Sequence, residues 1–189
     1  MKKLFIIVSI LSLTLILGNI LLFQIYKIPT TSMVPVLMPG DKVLVNKFIY
    51  GLKIPFTDLR LGKFNKLKRG EVIVFVPPQE FKKPWFRRKK HYIKRLIGLS
   101  GDRILIKQGN IYIDGKEVVD ARMTNYYYNQ GQYAQEGEET LVPEGKYFFL
   151  GDNSISSSDS RFWGFVEARG IVGKAIFVWA PGKGIYVVE

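Results

Sequence analysis

The pattern of apolar and polar positions changes once along the chain, near its start. Residues 4–23 carry no charge, and Ser9, Ser12, Thr14 and Asn19 are their only polar side chains. Twenty residues at about 1.5 Å each span roughly 30 Å, the thickness of a bilayer's hydrocarbon core. A cleaved secretory leader has a shorter apolar region, usually about 7–15 residues, and ends at a small-x-small site. Here Leu21, Leu22, Phe23, Gln24, Ile25, Tyr26 and Lys27 follow, all large. The run therefore predicts an uncleaved transmembrane anchor. Lys2 and Lys3 in front of it favour a cytoplasmic N-terminus, and the rest of the chain then lies outside the cytoplasm.

Downstream the apolar residues come in short, β-branched runs bounded by Gly, Pro and Asp. Strands are predicted over 41–48, 71–76, 103–107, 109–115, 146–150 and 171–179, with a strand-like stretch from Tyr92 to Gly98. Residues 107–118 read as a hairpin with Gly-Asn and Asp-Gly at its bends. No 3.6-residue periodicity persists long enough for a substantial helix after the anchor. The expected fold is mostly β, a domain of antiparallel sheets behind one N-terminal transmembrane helix. The division is 1–26 for the tip and anchor and 27–189 for the β domain, with an inserted loop or small subdomain at about 107–145. Two polar stretches, 51–70 and 123–144, look like insertions.

Composition narrows the chemistry. The absence of Cys removes disulfides and thiolate-held zinc, and one His cannot build a His-rich metal cluster. No metal or cofactor is expected. Between residues 42 and 100, sixteen Lys or Arg stand against three Asp or Glu, most densely over 82–91. That run is either a solvated loop or a contact for anionic lipid head groups, with Trp85 and Phe86 suited to the interface. Charge alone would also suit nucleic acid, but an outward-facing anchored domain is not expected to meet it.

Ser32, nine residues past the apolar run, is a weak nucleophile until some group takes its proton. His91 ends the basic run, where its ring is most easily solvated, and no nearby Asp is placed to orient it. Lys94 lies among Tyr92, Ile93, Leu96 and Ile97. In strand alternation it shares a face with Tyr92 and Leu96, and an inward-facing ammonium there would lose hydration. Desolvation favours the neutral amine, which can act as a base; the alternative is a lysine snorkelling at a strand edge. A third polar block, 151–161, follows the predicted strand 146–150. In it Asp159 and Arg161 can form a bidentate pair, and its serines can orient a lysine amine.

Three segments together resemble the type I signal peptidases, membrane-anchored Ser-Lys proteases that remove signal peptides from exported proteins. Pro29-Thr30-Thr31-Ser32-Met33-Val34-Pro35 is similar to the nucleophile box. Tyr92-Ile93-Lys94-Arg95-Leu96-Ile97-Gly98-Leu99-Ser100-Gly101-Asp102 is similar to the general-base box, and residues 151–161 to the final Gly-Asp-Asn box. Gly40-Asp41-Lys42-Val43-Leu44-Val45-Asn46-Lys47 is similar to the segment that follows the nucleophile. The boxes cover about a quarter of the chain, and their combination and order are highly specific.

The resemblance implies a signal-peptidase-like fold of coiled antiparallel sheets, with Ser32 as nucleophile and Lys94 as general base. It implies an oxyanion hole from the Ser32 N–H and the Thr30 hydroxyl. Ser157 would orient the Lys94 amine, with Asp159 and Arg161 bracing the loop. Ile28, Met33, Leu37, Tyr92 and Ile93 would line shallow pockets for an Ala-x-Ala site. The implied partners are preprotein signal peptides and membrane lipid, and the implied location is a bacterial-type inner membrane. Val36, Ser100 and Ser154 depart from the residues common in the family, Thr, Pro and Arg in turn, and bear on pocket shape and loop rigidity. Two other readings are a maturation peptidase dedicated to one pilin or conjugation protein, and a non-catalytic membrane-tethered binding protein on the same fold.

Overall fold

Alternating β-branched and aromatic residues, punctuated by glycine turns, make the described part of the chain mostly β. The computed structural model describes Phe5 and residues 22–53, 60–62, 65–84, 87, 89–128 and 131–188. The larger sheet has eight strands, β1 (Phe23–Lys27), β2 (Lys42–Asn46), β5 (Val72–Phe75), β6 (Tyr92–Gly98), β11 (Lys146–Leu150), β12 (Val166–Glu167), β13 (Ile171–Ala180) and β14 (Gly184–Val187). Their order is β1-β2-β13-β5-β6-β11-β12, with β14 also paired to β13. The smaller sheet joins β7 (Arg103–Lys107), β8 (Asn110–Ile113), β9 (Lys116–Glu117) and β10 (Thr140–Leu141) in the order β10-β7-β8-β9. A short hairpin pairs β3 (Leu52–Lys53) with β4 (Arg60–Leu61). The described residues also include two one-turn helices, α1 (Pro78–Phe81) and α2 (Ser160–Trp163), and a 3-10 turn at Ala168–Gly170.

The strands predicted at 103–107 and 146–150 and the strand-like stretch from Tyr92 to Gly98 form over those residues, and the others differ at their ends by a few positions. The first hairpin bend sits one residue earlier than the Gly-Asn pair suggests. Gln108 and Gly109 both take positive φ, 51° and 82°, as a two-residue turn matched to strand twist requires. The smaller sheet draws its strands from residues 103–117 and 140–141. Within the polar stretch 123–144, Met123, Tyr127 and Ala134 are buried against its apolar face.

The large sheet begins at Phe23, four residues before the expected start of the β domain. Strand β1 pairs with β2 from Phe23↔Asn46 to Lys27↔Lys42. Its alternation is inverted relative to a core strand, with Ile25 65% exposed, so apolar content there gave no sign of a sheet. The predicted anchor lies almost wholly outside the described residues, as do Trp85 and Phe86. Among the described residues, no helix is long and apolar enough to cross a membrane.

Three apolar clusters hold the sheets. Ile28, Met33 and Leu37 pack with Val43, Val45 and Val178 in the first. Ile104, Ile106, Ile111 and Ile113 from the small sheet meet Ile97 and Phe148 from the large one in the second. Phe75 stacks on Phe149, ring centroids 4.4 Å apart, in the third. Strand β6 is central to the large sheet, and from Lys94 onward it is buried. Two consecutive charges, Lys94 and Arg95, are thereby taken out of water at 4% and 1% exposure.

Candidate active site

Each of these charges needs compensation. Arg95 obtains it from Asp152, through a bidentate pair of Nε to Oδ1 at 2.8 Å and Nη2 to Oδ2 at 2.7 Å. Its Nη1 donates to the Gly70 carbonyl at 2.6 Å. Burial pushes the Asp152 carboxyl up, and the Arg95 donors and charge work against that rise.

Lys94 has no such partner. Its Nζ donates to Ser32 Oγ at 2.5 Å and to the Ile93 carbonyl at 3.0 Å. Burial lowers its pKa to about 8, opposed by the negative charges of Asp159 and Asp152. The pairing of Ile73 with Lys94 on β5 and β6 fixes the lysine at mid-strand. Ser32 sits in the turn between β1 and β2, held where Met33 and Leu37 enter the first cluster. Thr30 Oγ1 lies 3.3 Å from Ser32 Oγ.

The loop after β11 clamps the serine from behind. The Asn153 N–H donates to the Ser32 carbonyl at 3.1 Å, and Asn153 Nδ2 donates to the Thr31 carbonyl at 3.2 Å. Gly151 is pressed into the same place: a methyl group on it would lie 2.5 Å from the Ser32 carbonyl oxygen and 2.2 Å from Ser157 Oγ. Only hydrogen fits there. The loop is closed by the predicted pair, Arg161 Nε to Asp159 Oδ1 and Nη2 to Oδ2, both at 2.9 Å. Asp159 also caps α2 through the Arg161 N–H and accepts from the Gly151 N–H at 3.0 Å. Ser154 accepts from Arg161 Nη1 at 2.6 Å and from the Tyr128 N–H at 2.8 Å, so this departure from the family pattern is absorbed into the brace.

A cleft of about 700 Å³ opens over Ser32 and Lys94. Tyr92 and Ile93 line it. Ile28, Met33 and Leu37 do not: at 2%, 1% and 0% exposure they belong to the first core cluster, beneath the cleft. An apolar residue near a nucleophile satisfies a core and a pocket equally well in sequence, and here the core takes all three. Ser157, placed beside Lys94 by the resemblance, has a buried hydroxyl with no hydrogen-bond partner and makes no bond to the amine. Sequence reasoning missed Tyr26, Ser156 and Ser158 as lining residues and gave Asp152 no role. Among the described residues, no three His, Asp or Glu side chains gather as a metal site.

Similarity to known proteins gives the family of the chain. The profile of the family described as signal peptidase, peptidase S26, matches residues 1–180. Signal peptidase I of Pseudomonas aeruginosa is 34% identical over 203 residues, covering 90% of this chain and 69% of that protein. Signal peptidase I of Haemophilus influenzae is 32% identical, covering 84% and 63%. The probable signal peptidase I-2 of Synechocystis is 35% identical, covering 82% and 62%. The chain thus spans about two thirds of these relatives' lengths. A solved signal peptidase I from Enterococcus faecalis overlaps with a TM-score of 0.44 at 29% identity, over 58% of this chain and 97% of that one. A match that runs from the first residue through β13, and so takes in every residue of the Ser32–Lys94 site, makes the chain a member of the signal peptidase S26 family and a serine peptidase.

Proposed function

We propose that the chain removes signal peptides from exported preproteins through a Ser32–Lys94 dyad. The observation that carries this reading is the 2.5 Å approach of Lys94 Nζ to Ser32 Oγ in a buried setting that lowers the lysine pKa to about 8. Near neutral pH a useful fraction of such amines is uncharged. The neutral amine accepts the Ser32 proton as Oγ attacks the scissile carbonyl. The protonated amine then returns that proton to the leaving nitrogen as the peptide bond breaks. A water, deprotonated by Lys94, releases the acyl group and restores the serine.

The negative oxygen formed on attack is met by the Ser32 N–H and the Thr30 hydroxyl, donors worth about 3–4 kcal/mol where charge develops. The Thr30 hydroxyl's place beside Ser32 Oγ supports that role. Ser157 is the reserve partner of the amine: its buried, unpartnered hydroxyl packs on Gly151 beside the nucleophile's carbonyl. Asp159 and Arg161 hold the loop carrying it. Tyr92 and Ile93 shape the cleft for small side chains of an Ala-x-Ala site.

We place the enzyme at a bacterial-type inner membrane through a single span ending before Phe23, with the β domain on the outer face. The outer surface of β1, β13 and β14 supports this. Ile25, Phe177, Trp179, Ile185 and Val187 are all at least 43% exposed there, on the face that β1 shares with β13 and β14. The test is cleavage of an Ala-x-Ala preprotein by the detergent-solubilised full chain beside Ser32→Ala and Lys94→Ala. Wild type should cut after the second Ala, and each variant should lose at least about a thousandfold in rate. Cutting by either variant at the wild-type rate would overturn the dyad.

A further inference from the structure

The basic run, read from sequence as either a solvated loop or a lipid contact, is built into one wall of the cleft. Lys89, Lys90 and His91 line the same 700 Å³ space as Ser32 and Lys94, and none of the residues lining it is acidic. The strip is tied down. Glu80 of α1, itself 3% exposed, accepts from the Lys90 N–H at 2.9 Å and from Lys83 Nζ at 2.5 Å. The Lys89 ammonium stands over the Phe81 ring, 4.4 Å from its centroid. The His91 ring meets Tyr26 edge-on at 5.5 Å. A lysine-rich loop that served solubility alone would need none of these ties.

We propose that this wall makes the peptidase selective for a carboxylate side chain three or four residues from the scissile bond. The inference rests on the Ser32–Lys94 reading of the cleft. The spacing comes from β geometry. His91 and Lys90 precede Lys94 by three and four residues, about 10–13 Å at some 3.3 Å per extended residue. A substrate lying extended along the leading end of β6 covers the same distance in the same number of residues. An Asp or Glu there meets the Lys90 ammonium and the His91 ring, with the Lys89 ammonium one residue further along. A Lys there meets like charge, which is how an interface rejects wrong partners.

The test uses synthetic Ala-x-Ala peptides with Glu, Gln or Lys three or four positions before or after the cut. They are assayed with the solubilised full chain and with its Lys89→Gln/Lys90→Gln variant. For wild type, kcat/KM for the Glu peptide should exceed that for Gln by about five- to tenfold on one side of the cut, mainly through KM. The preference should collapse near 1 M salt, where the screening length falls to about 3 Å. In the variant the Glu-to-Gln ratio should approach one. Because each ratio is taken within one protein, partial misfolding does not move it.

A ratio near one for wild type on both sides of the cut would overturn the proposal. So would a ratio unchanged by the substitutions, and if vesicles containing phosphatidylglycerol then bind wild type but not the variant, the strip serves lipid instead. A wild type that cuts no peptide in the series contradicts the peptidase reading and the proposal together. Cutting without charge preference contradicts the proposal alone.

Discussion

The two sheets handle charge in opposite ways. In the small sheet the inward positions are Ile104, Ile106, Ile111 and Ile113, and its charges stay at the surface, as in the pair of Arg103 with Glu139 at 3.6 Å. In the large sheet and the loop and helix that follow β11, Lys94 and Arg95 of β6 and Asp152, Asp159 and Arg161 after β11 are all 5% exposed or less. Taking an ion from water costs several kcal/mol even after relaxation, so a fold rarely gathers five without a use for them. Four are matched in two bidentate pairs. The fifth, Lys94, is left facing a serine hydroxyl, and the penalty of its burial appears as a lowered pKa, which is what a base needs.

The sharpest way to break this contrast is to remove one ion from each sheet. Arg95→Met strands the Asp152 carboxylate and should cost about 3–5 kcal/mol in urea unfolding. Arg103→Met, which loses a pair whose side chains are 59% and 47% exposed, should cost less than about 1 kcal/mol. Equal costs would mean that the buried pair is not the brace described. Next in size is Gly151→Ala. The added methyl must displace the Ser32 carbonyl or Ser157, and a misplacement of about 1 Å should lower kcat on the order of a hundredfold. Retention of full activity would show that the loop yields freely.

The smallest stability effect is expected from Ser157→Ala. Its hydroxyl is buried and unpartnered, so removing it should leave stability within about 1 kcal/mol of wild type. If Ser157 takes up the neutral Lys94 amine during turnover, kcat should still fall at least about tenfold. Unchanged kcat would confine Ser157 to packing.

This contrast also explains what was legible in the sequence. The hairpins of the small sheet were, because alternating isoleucines and the Asp114-Gly115 bend state a local rule that the chain obeys locally, whereas β10, inside the polar stretch 123–144, was not. The large sheet was legible in its strands but not in its pairings. Arg95 and Asp152 lie 57 residues apart, and no local pattern announces that they meet. Ser32 stands out by its place just after the apolar run, Lys94 by its apolar neighbours, and Asp159 and Arg161 as a possible pair in a polar block, whereas Thr30 enters only through the resemblance. Ile28, Met33 and Leu37 are buried in the first cluster, and an apolar side chain looks the same in sequence whether it serves a core or a pocket. The position of Lys89 and Lys90 on the cleft wall depended on Glu80 and Phe81, whose contacts sequence does not show.

The central claim is that burial makes Lys94 the base, and its most direct test is the pH dependence of the acylation rate in single turnover. Only the neutral amine can take the Ser32 proton, so the rate should climb tenfold per pH unit at low pH and level off above a midpoint of about 8. Folding carries the same sign. The unfolded lysine titrates near 10.5, so between about 8 and 10.5 the unfolded chain binds more protons and stability rises with pH. Lys94→Arg, which stays charged, should remain inactive throughout. A rate flat from about pH 6 to pH 10, or a midpoint near the ordinary lysine value, would contradict the account.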